Sequence, residues 1–224
     1  MLKALLAREA LKFVKSGMVV GLGSGTTARE FIKALAEMNP RDVVLVPTSA
    51  DSEFLAAELG LGRLLKPMWA VDRIDLAVDG ADEVTREKIL LKGRGGALLR
   101  EKLVDYAARQ FVVLIEEHKL VDSIPTRNPV PIEVVPWAWR HVAREVERRF
   151  GGIVKLRRQD GGKLGPVATD NGNYILDWTP PSALDPSAED ELKLIPGVVE
   201  TGIFSKRRDA VVLVAREDGK IYTL

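Results

Sequence analysis

The sequence predicts an α/β protein: a mostly parallel sheet flanked by helices, with a smaller inserted α+β domain. Three observations predict it. Short apolar runs alternate with helical patterns from Met18 to Ile115 across short connections. Pro125, Pro129, Pro131 and Pro136 then break that rhythm, as at a domain boundary. Beyond them helices and strands are separated by hairpin-type turns. We expect residues 1–125 with 203–224 to form the α/β domain, and 126–202 to form the α+β domain and supply oligomer contacts.

Each element has its own signal. Leu2, Leu5, Leu6, Phe13 and Val14 share one helical stripe that closes at Ser16–Gly17. "MVVGLG" is a buried strand running into a turn, and "TTAREFIKALAEM" places Ala28, Phe31, Ile32, Leu35 and Met38 on one helix face before Pro40. "VVLVP" is the next strand, followed by a helix in "TSADSEFLAAELG" with a Ser/Asp-rich start and Gly60 at its end. "IDLAVDG" is a third strand, "ALLREKLVDYAAR" a helix and "FVVLI" a fourth strand. In the second domain we expect a helix in "WAWRHVAREVERRF", a strand in "IVKLRR", a turn at Asp160–Gly162, a strand in "YILDW" and a helix near 187–195. "AVVLVARE" and "KIYTL", joined by "DGK", return to the first sheet.

Composition narrows the function. The chain has 224 residues, 46% of them apolar and 29% charged, as in an ordinary globular protein. A net charge of +1 gives no broad footprint for nucleic acid or membrane. No cysteine is present, which excludes disulfides, thiolate nucleophiles and Cys-ligated metals. His118 and His141 form no ligand pair, so no metal site is expected, and both read as surface residues. No apolar run is long enough to span a bilayer, and "MLKALLAREALKFVK" lacks a signal-peptide core, so a cytoplasmic protein is expected.

Three loops fall at the carboxyl ends of predicted parallel strands, where open sheets bind ligands. "GLGSGTTA" (21–28) offers glycines, hydroxyls and a helix start, which suit a phosphate. It is neither G-x-G-x-x-G, since Thr26 occupies the third glycine position, nor a P-loop, and the second strand ends in Pro47-Thr48-Ser49 with no acid for a ribose. "DGADE" places Asp79, Asp82 and Glu83 within five residues. Such acids bind sugar hydroxyls, ligate Mg²⁺, share a proton, or simply cap a helix. In "KGRGGALLREK", Lys92 leaves a strand, Gly93 to Gly96 turn the chain, and Glu101 follows one turn into a helix. Helical side chains lean toward the amino terminus, so Glu101 either overhangs the glycine loop or is a solvated surface residue. Trp137 and Trp139 mark either a subunit contact or core packing.

In this order and at these separations, "GLGSGTTA", "DGADE" and "KGRGGALLREK" resemble the A-type ribose-5-phosphate isomerases. The likeness continues through "PVPIEVVP", "TDNGNYILD" and "IPGVVETGIF". The resemblance implies interconversion of D-ribose 5-phosphate and D-ribulose 5-phosphate in the non-oxidative pentose phosphate pathway, without metal or organic cofactor, by a homodimer or homotetramer. Glu101 matches the family's catalytic base, Asp79 and Asp82 the acids of its D-G-A-D motif, and Lys92 the lysine of its K-G-x-G loop. Ser24, Gly25, Thr26 and Thr27 match its phosphate loop, reading S-G-T-T for T-G-S-T, and Lys119 and Lys3 match substrate-side lysines. Gly80, Ala81, Gly93, Arg94 and Gly95 complete the expected substrate-binding set, with Arg94 standing where many members have glycine and reading as solvent-facing.

Chemistry assigns the expected roles. Aldose–ketose isomerisation passes through an enediol(ate), needing a base beside C1 and C2 and support for charge on O1 and O2. No histidine lies in a glycine-loop context, so a carboxylate base is the economical choice. An unperturbed Glu, with a pKa of about 4.3, is ionised at neutral pH. Two rivals are weighed. A sugar-phosphate sensor on the same scaffold would not need Glu101 and Lys92. A different enzyme on a related fold, such as an aminosugar-phosphate isomerase/deaminase or a CoA transferase, is the second, and the transferase would give "DGADE" no task.

Overall fold

The computed structural model describes residues 1–159 and 164–224, so the turn expected at Asp160–Gly162 lies outside the described residues. In chain order the elements are α1 (Leu2–Ala10), β1 (Val19–Leu22), α2 (Thr26–Met38), β2 (Val44–Pro47), α3 (Ala50–Ala56), β3 (Ile74–Gly80), β4 (Glu83–Val84) and β5 (Leu90–Leu91). There follow α4 (Leu98–Ala107), β6 (Ala108–Glu116), β7 (Val130–Val134), α5 (Trp139–Phe150), β8 (Ile153–Leu156) and β9 (Tyr174–Thr179). The chain ends with α6 (Ala188–Lys193), β10 (Val198–Thr201), β11 (Ile203–Phe204), β12 (Val211–Ala215) and β13 (Ile221–Thr223). It divides into two compact units: residues 1–81, 100–120 and 207–224, and residues 82–99 and 121–206.

The first unit is built on a six-stranded sheet in the order β13–β12–β6–β3–β1–β2, parallel except for β13. Alternation along β1 explains how both faces are covered. Val20 and Leu22 join the core made with Leu6, Phe31, Ile32 and Leu35 of α1 and α2. Gly21 faces the other way, toward Val104 of α4. Phe31 and Leu35 are wholly buried, and each contributes about 1.5–3 kcal/mol by leaving water. Asn39, at φ 49°, closes α2 before Pro40 can extend it. Ser49 and Ser52 cap α3 reciprocally. Gly60, at φ 82°, kinks the helical path inside Ala57–Leu61, beyond the end of α3.

Several boundaries differ from expectation: α3 stops at Ala56, β8 at Leu156, and α5 begins only at Trp139. The helix predicted through Arg109 stops at Ala107, because Ala108 already pairs with Ile74 in the parallel ladder. The return of "AVVLVARE" and "KIYTL" to the main sheet is observed as β12 and β13.

The second unit carries an antiparallel sheet, β10–β7–β9–β8, and a small sheet, β11–β5–β4, whose strands are two residues long. Val130, Ile132 and Val134 of β7 face a core completed by Val142 and Val146 of α5, Leu192 of α6 and Trp178 of β9. Pro131 and Glu133 therefore face the opposite side of this sheet. Gly151, at φ 73°, ends α5, and its carbonyl accepts the Trp178 indole N–H at 2.9 Å. Among the described residues, no helix is long and apolar enough to cross a membrane.

Candidate active site

In the first unit, three glycines of β1 and the loop that leads into α2 do three different things. At Gly21 a Cβ would lie 2.3 Å from Val104, so only glycine lets α4 pack this close to β1. At Gly23 a Cβ would lie 2.2 Å from the Asp79 carboxyl carbon and 2.6 Å from the Asp79 Cα. Gly25 has φ 86° and ψ −178°, a conformation open to glycine alone, and turns the chain into α2. The amino terminus of α2 has no side-chain cap, so its first N–H groups and the helix dipole suit an anion.

Side chains around this mouth are held in a chain of hydroxyls. Ser24 Oγ lies 2.8 Å from Thr48 Oγ1 and donates to Ser49 Oγ at 2.7 Å, while Thr48 Oγ1 donates to the Leu22 carbonyl at 2.9 Å. Thr27 is buried, and Thr26 accepts from Lys3 Nζ at 2.9 Å. Lys3 is thus at the expected loop, with Glu116 a further 3.8 Å partner. Thr48 and Ser49 are not among the expected site residues; their place just past the carboxyl end of β2 is the signal that marks them.

Asp79, the last residue but one of β3, has no solvent exposure. Its Oδ1 accepts the Ser24 N–H at 3.1 Å and the Gly80 N–H at 2.6 Å, tying the first loop to the D-G-A-D strand. Lys119 donates to the Ala81 carbonyl at 2.6 Å, so its ammonium sits over the end of β3. Glu101 lies in the first turn of α4 and is only 5% exposed, so it is no solvated surface residue. The far end of α4 is fixed by Arg207, which the sequence did not single out. Its guanidinium donates to the carbonyls of Asp105 at 2.6 Å and Ala108 at 2.7 Å, and lies 5.9 Å from the Phe111 ring.

The second unit holds the other motif residues. Lys92 is 2% exposed, follows β5, donates its N–H to the Gly202 carbonyl and carries its ammonium 5.5 Å from the Phe204 ring centre. Gly93 and Gly96 have φ of 97° and 82° and lie close to Pro131 and Ile175, on the face of the four-stranded sheet opposite its core. Arg94 and Gly95 are exposed, and the Arg94 N–H donates to Asp82 Oδ2 at 3.0 Å. The Gly93 and Arg94 carbonyls accept from Arg157, itself paired with Asp177.

Glu83 serves the fold. Its buried carboxylate accepts from Thr126 N, Arg127 N, Asn128 N and Asn128 Nδ2 at 2.7–2.9 Å, clamping the loop before β7. His118 and His141 are exposed, as expected, and Trp137 is 96% exposed. Charge is tuned elsewhere too. At the other end of β3 from Asp79, burial pushes the Asp75 carboxyl up, but the Val19 N–H, Arg73 and Arg109 outweigh it and hold the group below its ordinary range. On α5, hydrogen bonds from Arg148 and Arg149 bring Glu145 down to about 2.

A parallel sheet with a glycine-rich first loop, an open helix mouth and a strand-end aspartate defines an open-sheet α/β protein of the ligand-binding kind. Residues 44–219 match the model of the family described as ribose 5-phosphate isomerase A (phosphoriboisomerase A). Ribose-5-phosphate isomerase A of Pyrococcus abyssi is 46% identical over 98% of this chain and 96% of its own length. That of Thermococcus kodakarensis is 48% identical over 97% and 95%. A D-ribose-5-phosphate isomerase solved in complex with phospho-erythronic acid superposes with a TM-score of 0.93 at 44% identity, covering 100% of this chain and 97% of that one. The ribose 5-phosphate isomerase A of Methanocaldococcus jannaschii gives 0.91 at 42%, with the same coverage. The chain belongs to the ribose 5-phosphate isomerase A family.

Proposed function

We propose that this protein interconverts D-ribose 5-phosphate and D-ribulose 5-phosphate through an enediol(ate), with Glu101 as the base. In this reading the phosphate sits at the mouth of α2, gripped by Ser24, Gly25, Thr26 and Thr27 with Lys3 and Lys119, and its binding energy positions the reacting carbons. Asp79 or Asp82 moves a hydroxyl proton during ring opening. The Glu101 carboxylate then takes the C2 proton, the C2–H electrons form the C1=C2 bond, and charge moves onto O1. An aspartate carries the O2 proton to O1, and Glu101 returns its proton to C1, leaving the C2 ketone.

Lys92 and Asp82 enter from the motif match, with Lys92 and the Gly93–Gly96 amides assigned to the charge on oxygen. Gly80, Ala81 and Arg94 are placed along the substrate on the same grounds. The step calls for no metal or organic cofactor. The observation that carries the base assignment is the burial of Glu101 in the first turn of α4, since a carboxylate withdrawn from water on a charged helix needs a task. We extend the reading to a cytoplasmic homodimer or homotetramer, with exposed Trp137 among the contacts.

Turnover in D₂O tests the proton-transfer route. Prolonged incubation with ribose 5-phosphate should place deuterium at C1 of the ketose. Product free of deuterium after many turnovers would mean direct hydride transfer and overturn the mechanism.

A further inference from the structure

The glycine loop after Lys92 is held by two side chains from distant positions of its own unit. Arg157, just past β8, donates through Nη1 to the carbonyls of Gly93 at 3.1 Å and Arg94 at 2.9 Å. Its Nε and Nη2 are occupied by Asp177 of β9, at 2.8 and 2.5 Å. Both side chains are largely buried, with 16% and 20% of their surface exposed. The Arg157 backbone is anchored as well, through its N–H to the Ile175 carbonyl at 2.8 Å. A planar guanidinium held at one edge by a carboxylate offers its remaining edge in a fixed direction, which an ammonium does not.

The consequence follows from the trans peptide, in which C=O and N–H point to opposite sides. The Gly93–Arg94 peptide turns its carbonyl to Arg157 and its N–H to Asp82 Oδ2 at 3.0 Å. The Arg94–Gly95 peptide also turns its carbonyl to Arg157, so the Gly95 N–H is directed to the side where Asp82 lies. Gly93, at φ 97°, and Gly96, at φ 82°, allow this path. The Gly96 N–H closes the turn on the Gly93 carbonyl at 3.0 Å.

We propose that Arg157, locked by Asp177, is a positioning residue that aims the Gly95 N–H of the loop at the oxygen charge of the enediolate. This rests on the reading above of the Lys92 loop as the charge-stabilising element. Arg157 touches no reacting atom. It acts through the two carbonyls, so its loss should harm the charged intermediate more than the grip on phosphate.

Arg157→Lys and Asp177→Asn test this, alongside Lys92→Met. For each, kcat, KM for ribose 5-phosphate, and inhibition by phospho-erythronic acid and by inorganic phosphate are measured. Both clamp variants should lose about 10- to 100-fold in kcat, the scale of an ångström-sized misplacement. Their KM should stay within about 3-fold, because the lost interaction belongs to the transition state. Phospho-erythronic acid, whose carboxylate carries charge as the enediolate does, should bind more weakly, with inhibition by inorganic phosphate unchanged. If both clamp variants keep wild-type kcat and inhibition while Lys92→Met loses activity, the inference fails and the loop reading stands. If Lys92→Met keeps full kcat, the loop reading falls and takes the inference with it. Equal weakening of both inhibitors would mark general damage to the unit and would also overturn the positioning role.

Discussion

Replacing Gly23 by alanine places one methyl group where the structure has no room. The added carbon would sit 2.6 Å from the Asp79 Cα, at least 0.8 Å short of the 3.4 Å at which ordinary contact begins. A rotamer change at Asp79 cannot relieve this, because the Cα belongs to the backbone of β3. The carboxylate, 2.2 Å from the new atom, must also leave the N–H groups of Ser24 and Gly80. Overpacking of this kind costs about 1–3 kcal/mol, and each lost hydrogen bond to a charged group about 1.5–3 kcal/mol if unreplaced. Partial relaxation leaves a net loss of about 2–4 kcal/mol, or a Tm fall of about 5–15 °C for a chain of this size. Function should suffer further. Moving Ser24 and Asp79 apart by nearly an ångström should lower kcat/KM for ribose 5-phosphate by about 10²-fold. Thermal unfolding by circular dichroism and a ketopentose assay measure the two effects. A variant within about 2 °C of the wild-type Tm and with full kcat/KM would refute the claim that Asp79 closes on the first loop.

Glu83→Gln should lower Tm by about 5–10 °C, since the amide NH₂ would face the Thr126 N–H and the charge that strengthens the other three bonds would be gone. An unchanged Tm would show that the loop at 126–128 holds without the carboxylate. Asp75 makes an acid-side prediction. Its folded pKa is lowered, so its stabilisation is present above the unfolded value near 3.8 and is lost as pH falls through the folded value. The Tm advantage of wild type over Asp75→Asn, measured at about pH 6, should therefore shrink toward about pH 2. A constant or widening gap would contradict the lowered pKa.

Much of this could be read from residues alone, because the signals were local. The alternation of apolar runs and helical stripes gave the parallel sheet, and glycines marked the loops. The separate tasks of Gly21 and Gly23 were not legible, since each is set by a residue more than fifty positions away: Val104 behind one, Asp79 across the other. Arg157 and Asp177 were hidden for the same reason. In sequence they are two more charges on strands, and only the pairing of β8 with β9 puts them beside each other. Glu83 shows the reverse case. Its neighbours Asp79 and Asp82 made it look like part of an acid cluster, yet its four donors come from 126–128. The two-residue strands β4, β5 and β11 carry too little pattern to be read. The passage from α4 to β6 has no glycine or proline to announce it.

The assignment of Glu101 as base is the claim on which the mechanism stands, and Glu101→Gln probes it with almost no change of volume. With the variant's unfolding temperature checked against wild type, kcat for ribose 5-phosphate should fall at least ~10²-fold while KM changes little. A folded variant turning over near the wild-type kcat would contradict the account.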